Sequence, residues 1–114
     1  MKTQKLFLAC MLLFMGFFAK AQTGCQAYFY TSQTGQVVQF HDTSYSSTAL
    51  GGSITAKYFW TFGDGQKDSV NKNPIHTYAN YGTYTACLKF KVYQSGVVFC
   101  TDSFCKTITI NCPN

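Results

Sequence analysis

The chain has 114 residues, and its charged residues are nine lysines and four aspartates. Arginine is absent, so the sequence lacks the side chain that most often grips phosphate and guanine with two parallel hydrogen bonds. Because the lysines are also scattered along the sequence, the composition argues against a nucleic-acid-binding protein.

Residues 1–21 have the organisation of a secretory signal peptide. Lysines precede an apolar run that ends at Phe18, and Ala21 closes a small-x-small cleavage site. The apolar run is shorter than the roughly 20 residues of a spanning helix. We therefore predict an exported mature chain, residues 22–114, with no membrane span. It retains six lysines against four aspartates, a net charge of +2, and forms one small domain with a marginal core.

Alternation of apolar and polar residues with a period of two, interrupted by turn residues, predicts an all-β mature chain. A first strand places Ala27 and Phe29 on one face, and a second strand does the same with Val38 and Phe40. The polar segment 45–55 predicts a loop that crosses between sheets.

A third strand, residues 57–62, ends at a Gly-Asp-Gly turn beginning at Gly63, because these residues tolerate positive φ. Pro74 disfavours helix and central strand, and a short edge strand follows over residues 75–78. The longest alternation directs Tyr84, Ala86, Leu88, Phe90 and Val92 inward. A turn at Ser95-Gly96 then leads into the last strand, Val97 to Ile110, for a total of about seven strands.

Three ordered motifs resemble the PKD domain: W-x-F-G-D-G, N-P-x-H-x-Y and G-x-Y. The motif residues are Trp60, Gly63, Asp64, Gly65, His76, Tyr78, Gly82 and Tyr84. The resemblance covers most of residues 25–111 and implies a single immunoglobulin-like β-sandwich of antiparallel strands. It also implies an extracellular module of the kind found in adhesins and polymer-degrading enzymes, usually as repeats or appendages.

Five cysteines follow the predicted cleavage site, which in a small exported chain indicates disulfides with one thiol left over. A hairpin centred on Gly96 places Cys87 opposite Cys105, within bridging distance. The sandwich topology implied by the resemblance brings Cys25 near Cys100 and leaves Cys112 unpaired. Two alternatives remain open: acylation of Cys25 as a lipoprotein, and a zinc site that uses the C-x4-C spacing.

The aspartates provide no facing pair for glycoside hydrolysis, and no G-x-S-x-G elbow accompanies the histidines. Asp64 is expected to bond turn amides and His76 to be structural, although calcium at Asp42, Asp64 and Asp68 stays an alternative. Trp60 is expected in the core. The outward aromatics are a candidate ligand face, with ordinary cross-strand packing as the alternative: Tyr28, Tyr30, Phe59 and Tyr93.

The sequence therefore predicts a disulfide-stapled, non-catalytic module without a cofactor, secreted, at the cell surface or in the periplasm. The expected partner is an extracellular protein or polysaccharide, bound in an adhesion-type interaction, and not nucleic acid. The alternative is a structural spacer or matrix component, joined to another chain through Cys112.

Overall fold

The computed structural model describes residues 24–47 and 53–113. The predicted signal peptide and its cleavage site lie outside the described residues. The described part of the chain forms β-strands and turns, and it contains no helix long and apolar enough to cross a membrane. Its strands are β1 (Cys25–Gln26), β2 (Phe29–Thr34), β3 (Val37–Asp42), β4 (Tyr45–Ser46), β5 (Ile54–Thr61), β6 (Lys67–Asp68), β7 (Ile75–Thr77), β8 (Gly82–Gln94) and β9 (Val97–Ile110).

All strand pairs are antiparallel, and they form two facing sheets and a small ribbon. The three-stranded sheet has the order β2-β3-β7, the four-stranded sheet has the order β6-β5-β8-β9, and the ribbon pairs β1 with β4. Alternate side chains of each sheet point into the space between them. The largest fully buried side chains come from both sheets and include Phe29, Phe40, Trp60, Leu88 and Ile110. The predicted all-β sandwich is therefore confirmed.

The predicted crossing loop over residues 45–55 is wrong at both ends. Tyr45 and Ser46 form β4 because the edge of β1 supplies hydrogen-bonding partners there. At the other end β5 begins at Ile54, which pairs with Gln94 near the tip of β8. Residues 48–52 lie outside the described residues.

The long β8–β9 hairpin fixes the position of the cysteines. Cys87 pairs directly with Cys105. A register shift after Val92 gives β9 one extra residue, Phe99, so that Cys100 pairs with the inward-facing Val92.

The structure contains the two disulfides expected from the sequence, Cys25–Cys100 and Cys87–Cys105. Cys112 is free and exposed. The first bridge joins β1 to the hairpin, and the second joins β8 to β9. Covalent links of this kind offset the small core of a domain of this size.

Candidate functional site

The Gly-Asp-Gly turn after β5 is held by a hydrogen bond between side chains distant in sequence. His76 Nε2 lies 2.7 Å from Asp64 Oδ2, and the backbone N–H of Gln66 donates to Asp64 Oδ1 at 3.1 Å. Burial acts to raise the pKa of Asp64, but the hydrogen bonds from His76 and Gln66 outweigh it and lower that pKa. The His76 ring also stacks on Phe62, with centroids 4.0 Å apart. Both residues thus have structural partners.

The aromatic residues of the motifs are part of the core. Trp60 is 1% exposed, and its indole N–H donates to the carbonyl oxygen of Asn71 at 3.1 Å. The Tyr78 hydroxyl donates to the carbonyl oxygen of Phe62 at 2.7 Å, and burial raises the pKa of this phenol. Tyr84 donates in the same way to a carbonyl four residues earlier. A ligand platform at Trp60 is thereby excluded.

The other aspartates are also engaged. Asp42 accepts from the N–H of Ser44, Asp68 accepts from Val70 and Asn71, and Asp102 accepts from the N–H of Ala27 at 2.8 Å. Within residues 24–47 and 53–113, no three side chains of the His, Cys, Asp and Glu types converge as a metal site. The arrangement thus gives no support to the calcium alternative.

The four aromatics considered as one ligand face do not lie together on one sheet. Tyr30 is 51% exposed in β2 and stacks on His41, and Tyr28 packs against Phe104. Phe59 and Tyr93 belong instead to β5 and β8 of the four-stranded sheet. Tyr28 and Tyr30 are exposed, whereas Phe59 and Tyr93 are half-buried. The alternation of residues carries no information on which sheet a strand joins. The structure therefore separates two candidate surfaces.

The outer side of the four-stranded sheet is the more unusual surface. Lys57 lies directly opposite Lys91, and Phe59 lies opposite Lys89. Lys67 of β6 pairs with Thr61 and so emerges on the same side. We call this surface the lysine face, and define it by Lys57, Lys67, Lys89, Lys91, Phe59 and Tyr93.

Sequence reasoning missed this clustering, because the lysines lie far apart along the chain. Although the lysines are scattered along the sequence, four of the six beyond residue 21 occupy one sheet face. The feature of the sequence that could have indicated the cluster is the outward position of these lysines in the alternation of apolar and polar residues. The alternation does not show that β5 pairs with β6 and β8.

A shallow groove of about 450 Å³ runs across the lysine face. The Phe59 ring, Lys89, Lys91 and Ser103 line it beside the Cys87–Cys105 bridge. Its volume lies within the usual range of small-molecule sites, about 300–1,000 Å³.

Two lysine ammonium groups of the lysine face lie over aromatic rings. Lys91 Nζ lies 5.6 Å from the centroid of Phe59, and Lys57 Nζ lies 5.3 Å from the centroid of Tyr93. These cation–π contacts draw the two facing ammonium groups in opposite directions along the sheet. The face can therefore present separated positive charges beside an apolar ring.

The PKD domain family matches residues 26–108. The PKD1 domain of Vibrio anguillarum Epp superposes with a TM-score of 0.62 at 24% identity, covering 81% of this chain and 99% of that one. The PKD1 domain of the Vibrio cholerae metalloprotease PrtV gives a TM-score of 0.60 at 26% identity, covering 78% and 99%.

The search of curated proteins gives no match. The family match nevertheless spans most of the chain and includes the turn motif, the buried Trp60 and the Tyr78 hydrogen bond described above. The chain belongs to the PKD domain family.

Proposed function

We propose that this chain is an extracellular, non-catalytic module that binds a polysaccharide or protein through its lysine face. The observation that supports this proposal is the groove in which Phe59 and Lys91 lie side by side. Such a combination of an apolar ring with unneutralised charge is typical of recognition surfaces rather than of sheet stability.

The engagement of the other polar groups supports a non-catalytic role. Asp64 and His76 are bonded to each other, and Asp102 is bonded to a backbone amide. A general acid or base must reach a substrate proton, whereas these groups already serve turns and strand ends. The similarity to the PKD1 domain of a metalloprotease favours a role as a module in a larger exported system.

The test is a binding screen of the mature chain on glycan and extracellular-protein arrays, followed by substitution of the face. Phe59→Ala is expected to weaken binding to the selected ligand by about tenfold, equal to about 1.4 kcal/mol. Tyr30→Ala, on the opposite sheet, is the matched control and should leave affinity within about twofold. Thermal unfolding of both variants verifies that each is folded.

Loss of binding in Tyr30→Ala with full binding in Phe59→Ala would contradict the proposal and assign recognition to the three-stranded sheet. A ligand that binds both variants equally would contradict it as well.

The second candidate, a structural spacer or matrix component, is favoured by the exposed thiol of Cys112. A thiol at the surface of an exported domain can form a disulfide with another chain. Non-reducing gels of secreted protein test this: dimers that disappear in Cys112→Ser support cross-linking, and a monomeric wild type contradicts it.

A further inference from the structure

The lysine face gathers like charges on one side of the four-stranded sheet. Lys57 and Lys91 are direct cross-strand partners, and Lys89 lies on the same side of β8 about 7 Å from Lys91. Like charges directly opposite each other in a sheet are destabilising. The four aspartates, all of them in the described part of the chain, point elsewhere: each has hydrogen bonds in a turn, at a strand end or to the first residues of the fold.

The charge is also held in place before any ligand arrives. The contacts with Phe59 and Tyr93 fix the directions of the Lys91 and Lys57 stems. The strands beneath are joined by backbone pairing, and the Cys87–Cys105 bridge links two of them beside the groove. Affinity is gained when the side chains that contact a ligand need little further ordering.

We infer, resting on the proposed function, that the ligand of the lysine face is an anionic polysaccharide. Its carboxylate or sulfate groups pair with Lys57, Lys89 and Lys91, and a sugar ring packs against Phe59. Hydroxyl groups of Ser103 and neighbouring threonines exchange hydrogen bonds with sugar hydroxyls.

The composition of the face favours a polysaccharide over a protein. Protein interfaces are enriched in arginine and aromatic residues, and their cores are depleted in lysine. Here lysine supplies all the positive charge of the face, and Phe59 is the only aromatic ring that lines the groove. A lysine ammonium is a point charge that accepts an anion from many directions, which suits flexible acidic side groups along a sugar chain.

The same features argue against nucleic acid. Single-stranded nucleic acids are usually bound on several aromatic platforms, on which successive bases stack. Among the described residues the groove offers one ring, Phe59, and not a series of platforms. The chain also lacks arginine, the residue that most often contacts guanine.

The experiment measures binding of the mature chain to four probes by affinity electrophoresis and biolayer interferometry. The probes are alginate, chondroitin sulfate, neutral dextran and a single-stranded oligonucleotide. We expect binding to one or both acidic polysaccharides, none to dextran, and a steep loss of affinity between about 20 mM and 300 mM NaCl because the charges are exposed. Alginate alone would identify the anion as carboxylate, and chondroitin sulfate alone would point to a need for sulfate; either supports the inference.

The decisive variant is Lys57→Gln combined with Lys91→Gln. It should weaken binding to the acidic polysaccharide by about tenfold, since each exposed ion pair contributes up to about 1 kcal/mol. The matched control combines Lys72→Gln with Lys106→Gln, which removes the same charge away from the face and should leave affinity within about twofold.

One outcome overturns the inference and leaves the proposed function standing: Phe59-dependent binding to dextran or to a protein that the double variant retains. Tighter binding of the oligonucleotide than of both polysaccharides, again dependent on Phe59, overturns the inference and the proposed function together. Equal loss in both double variants overturns the inference by showing that net charge alone matters. Ligand binding unaffected by any change on the face overturns both proposals.

Discussion

His76 and Asp64 join the edge strand β7 to the turn after β5 through a hydrogen bond of 2.7 Å. The carboxylate is the acceptor, and its pKa lies below the ordinary value of 3.8. A group whose pKa is lower in the folded state than in the unfolded chain stabilises the fold while it is ionised. The contribution of Asp64 is therefore complete above the unfolded pKa and is lost as the pH falls through the folded pKa.

We expect the wild-type unfolding free energy to fall as the pH drops below about 4, and this fall to be smaller in Asp64→Asn. At pH 7 the variant should be less stable by about 1–3 kcal/mol, because a charge-assisted hydrogen bond becomes neutral. Urea unfolding between pH 7 and pH 2 measures both effects. The pKa of Asp68 is also lowered, by hydrogen bonds from Asn71 and Val70. Asp68 therefore accounts for part of the pH dependence of stability that remains in Asp64→Asn. An unchanged slope in Asp64→Asn would contradict this account.

Gly63 is required by both conformation and space. Its φ is +86°, and a Cβ there would lie 2.5 Å from the carbonyl oxygen of Thr85. Gly63→Ala should lower the unfolding free energy by more than about 2 kcal/mol. Gly65→Ala is the control, because its φ is +92° and a Cβ would meet nothing within 4 Å; about 1 kcal/mol is expected from its backbone alone. Equal losses in chemical denaturation would show that the close approach to Thr85 is unimportant.

The hydroxyl of Tyr78 stabilises the core by satisfying a buried carbonyl. Tyr78 has no exposed surface, and it donates to the oxygen of Phe62. Tyr78→Phe keeps the ring and leaves that acceptor without its partner, so a loss of about 1–3 kcal/mol is expected. Tyr84→Phe removes an exposed hydrogen bond to Asn80 and should cost less, about 0.5–1.5 kcal/mol. Differential scanning calorimetry measures both losses. A larger loss of stability in Tyr84→Phe than in Tyr78→Phe would contradict this interpretation.

The two disulfides should differ in their contribution to stability. Cys25–Cys100 spans 75 residues and Cys87–Cys105 spans 18. Chain entropy predicts about 4 kcal/mol for the longer loop and about 3 kcal/mol for the shorter. Each pair is replaced by alanine in a Cys112→Ser background, so that the exposed thiol does not exchange with the bridges. Urea midpoints in the opposite order would contradict the entropic explanation.

The repulsion between the facing lysines should make the stability of the domain depend on the salt concentration. Added NaCl screens the repulsion between Lys57 and Lys91, so wild-type stability should rise by a few tenths of a kcal/mol at moderate salt. Lys57→Gln should reduce that rise. Lys72, whose Nζ is 4.0 Å from Asp42 in an attractive pair, is the control, and Lys72→Gln should leave the rise intact or enlarge it. The prediction fails if both variants respond to salt alike.

Most parts of the fold that the sequence predicted are those governed by local rules. The core position of Trp60 follows from alternation within one strand. The Cys87–Cys105 pairing was predicted from a hairpin centred on Gly96. The structure has a two-residue turn instead, and it reaches the same pairing through the register shift after Val92, which a local rule did not predict. The two-residue strands β4 and β6 could not be predicted, because two residues are too few to show an alternation of apolar and polar side chains. Each is a strand only because it pairs with a neighbouring strand.

The candidate site depended on contacts between distant segments. Alternation placed Lys57 and Lys91 on outward positions, but only the pairing of β5 with β8 makes them neighbours. The same information separates Tyr30 from Phe59 by assigning them to different sheets. Thus the direction in which a side chain points could be predicted from the sequence, whereas its neighbours in space could not.

The Cys25–Cys100 bridge has a mechanical consequence. If the domain is pulled at Cys25 and at Ile110, the load passes through the sulfur atoms to Cys100 and then along β9. The 75-residue separation between the bridged cysteines is bypassed, so the tension does not reach the strands that carry most of the core. The remaining part of β9 is itself anchored to β8 by the second bridge at Cys105. Under such a load, the residues between Cys25 and Cys100 would stay outside the direct path of the force as long as this disulfide remains oxidised.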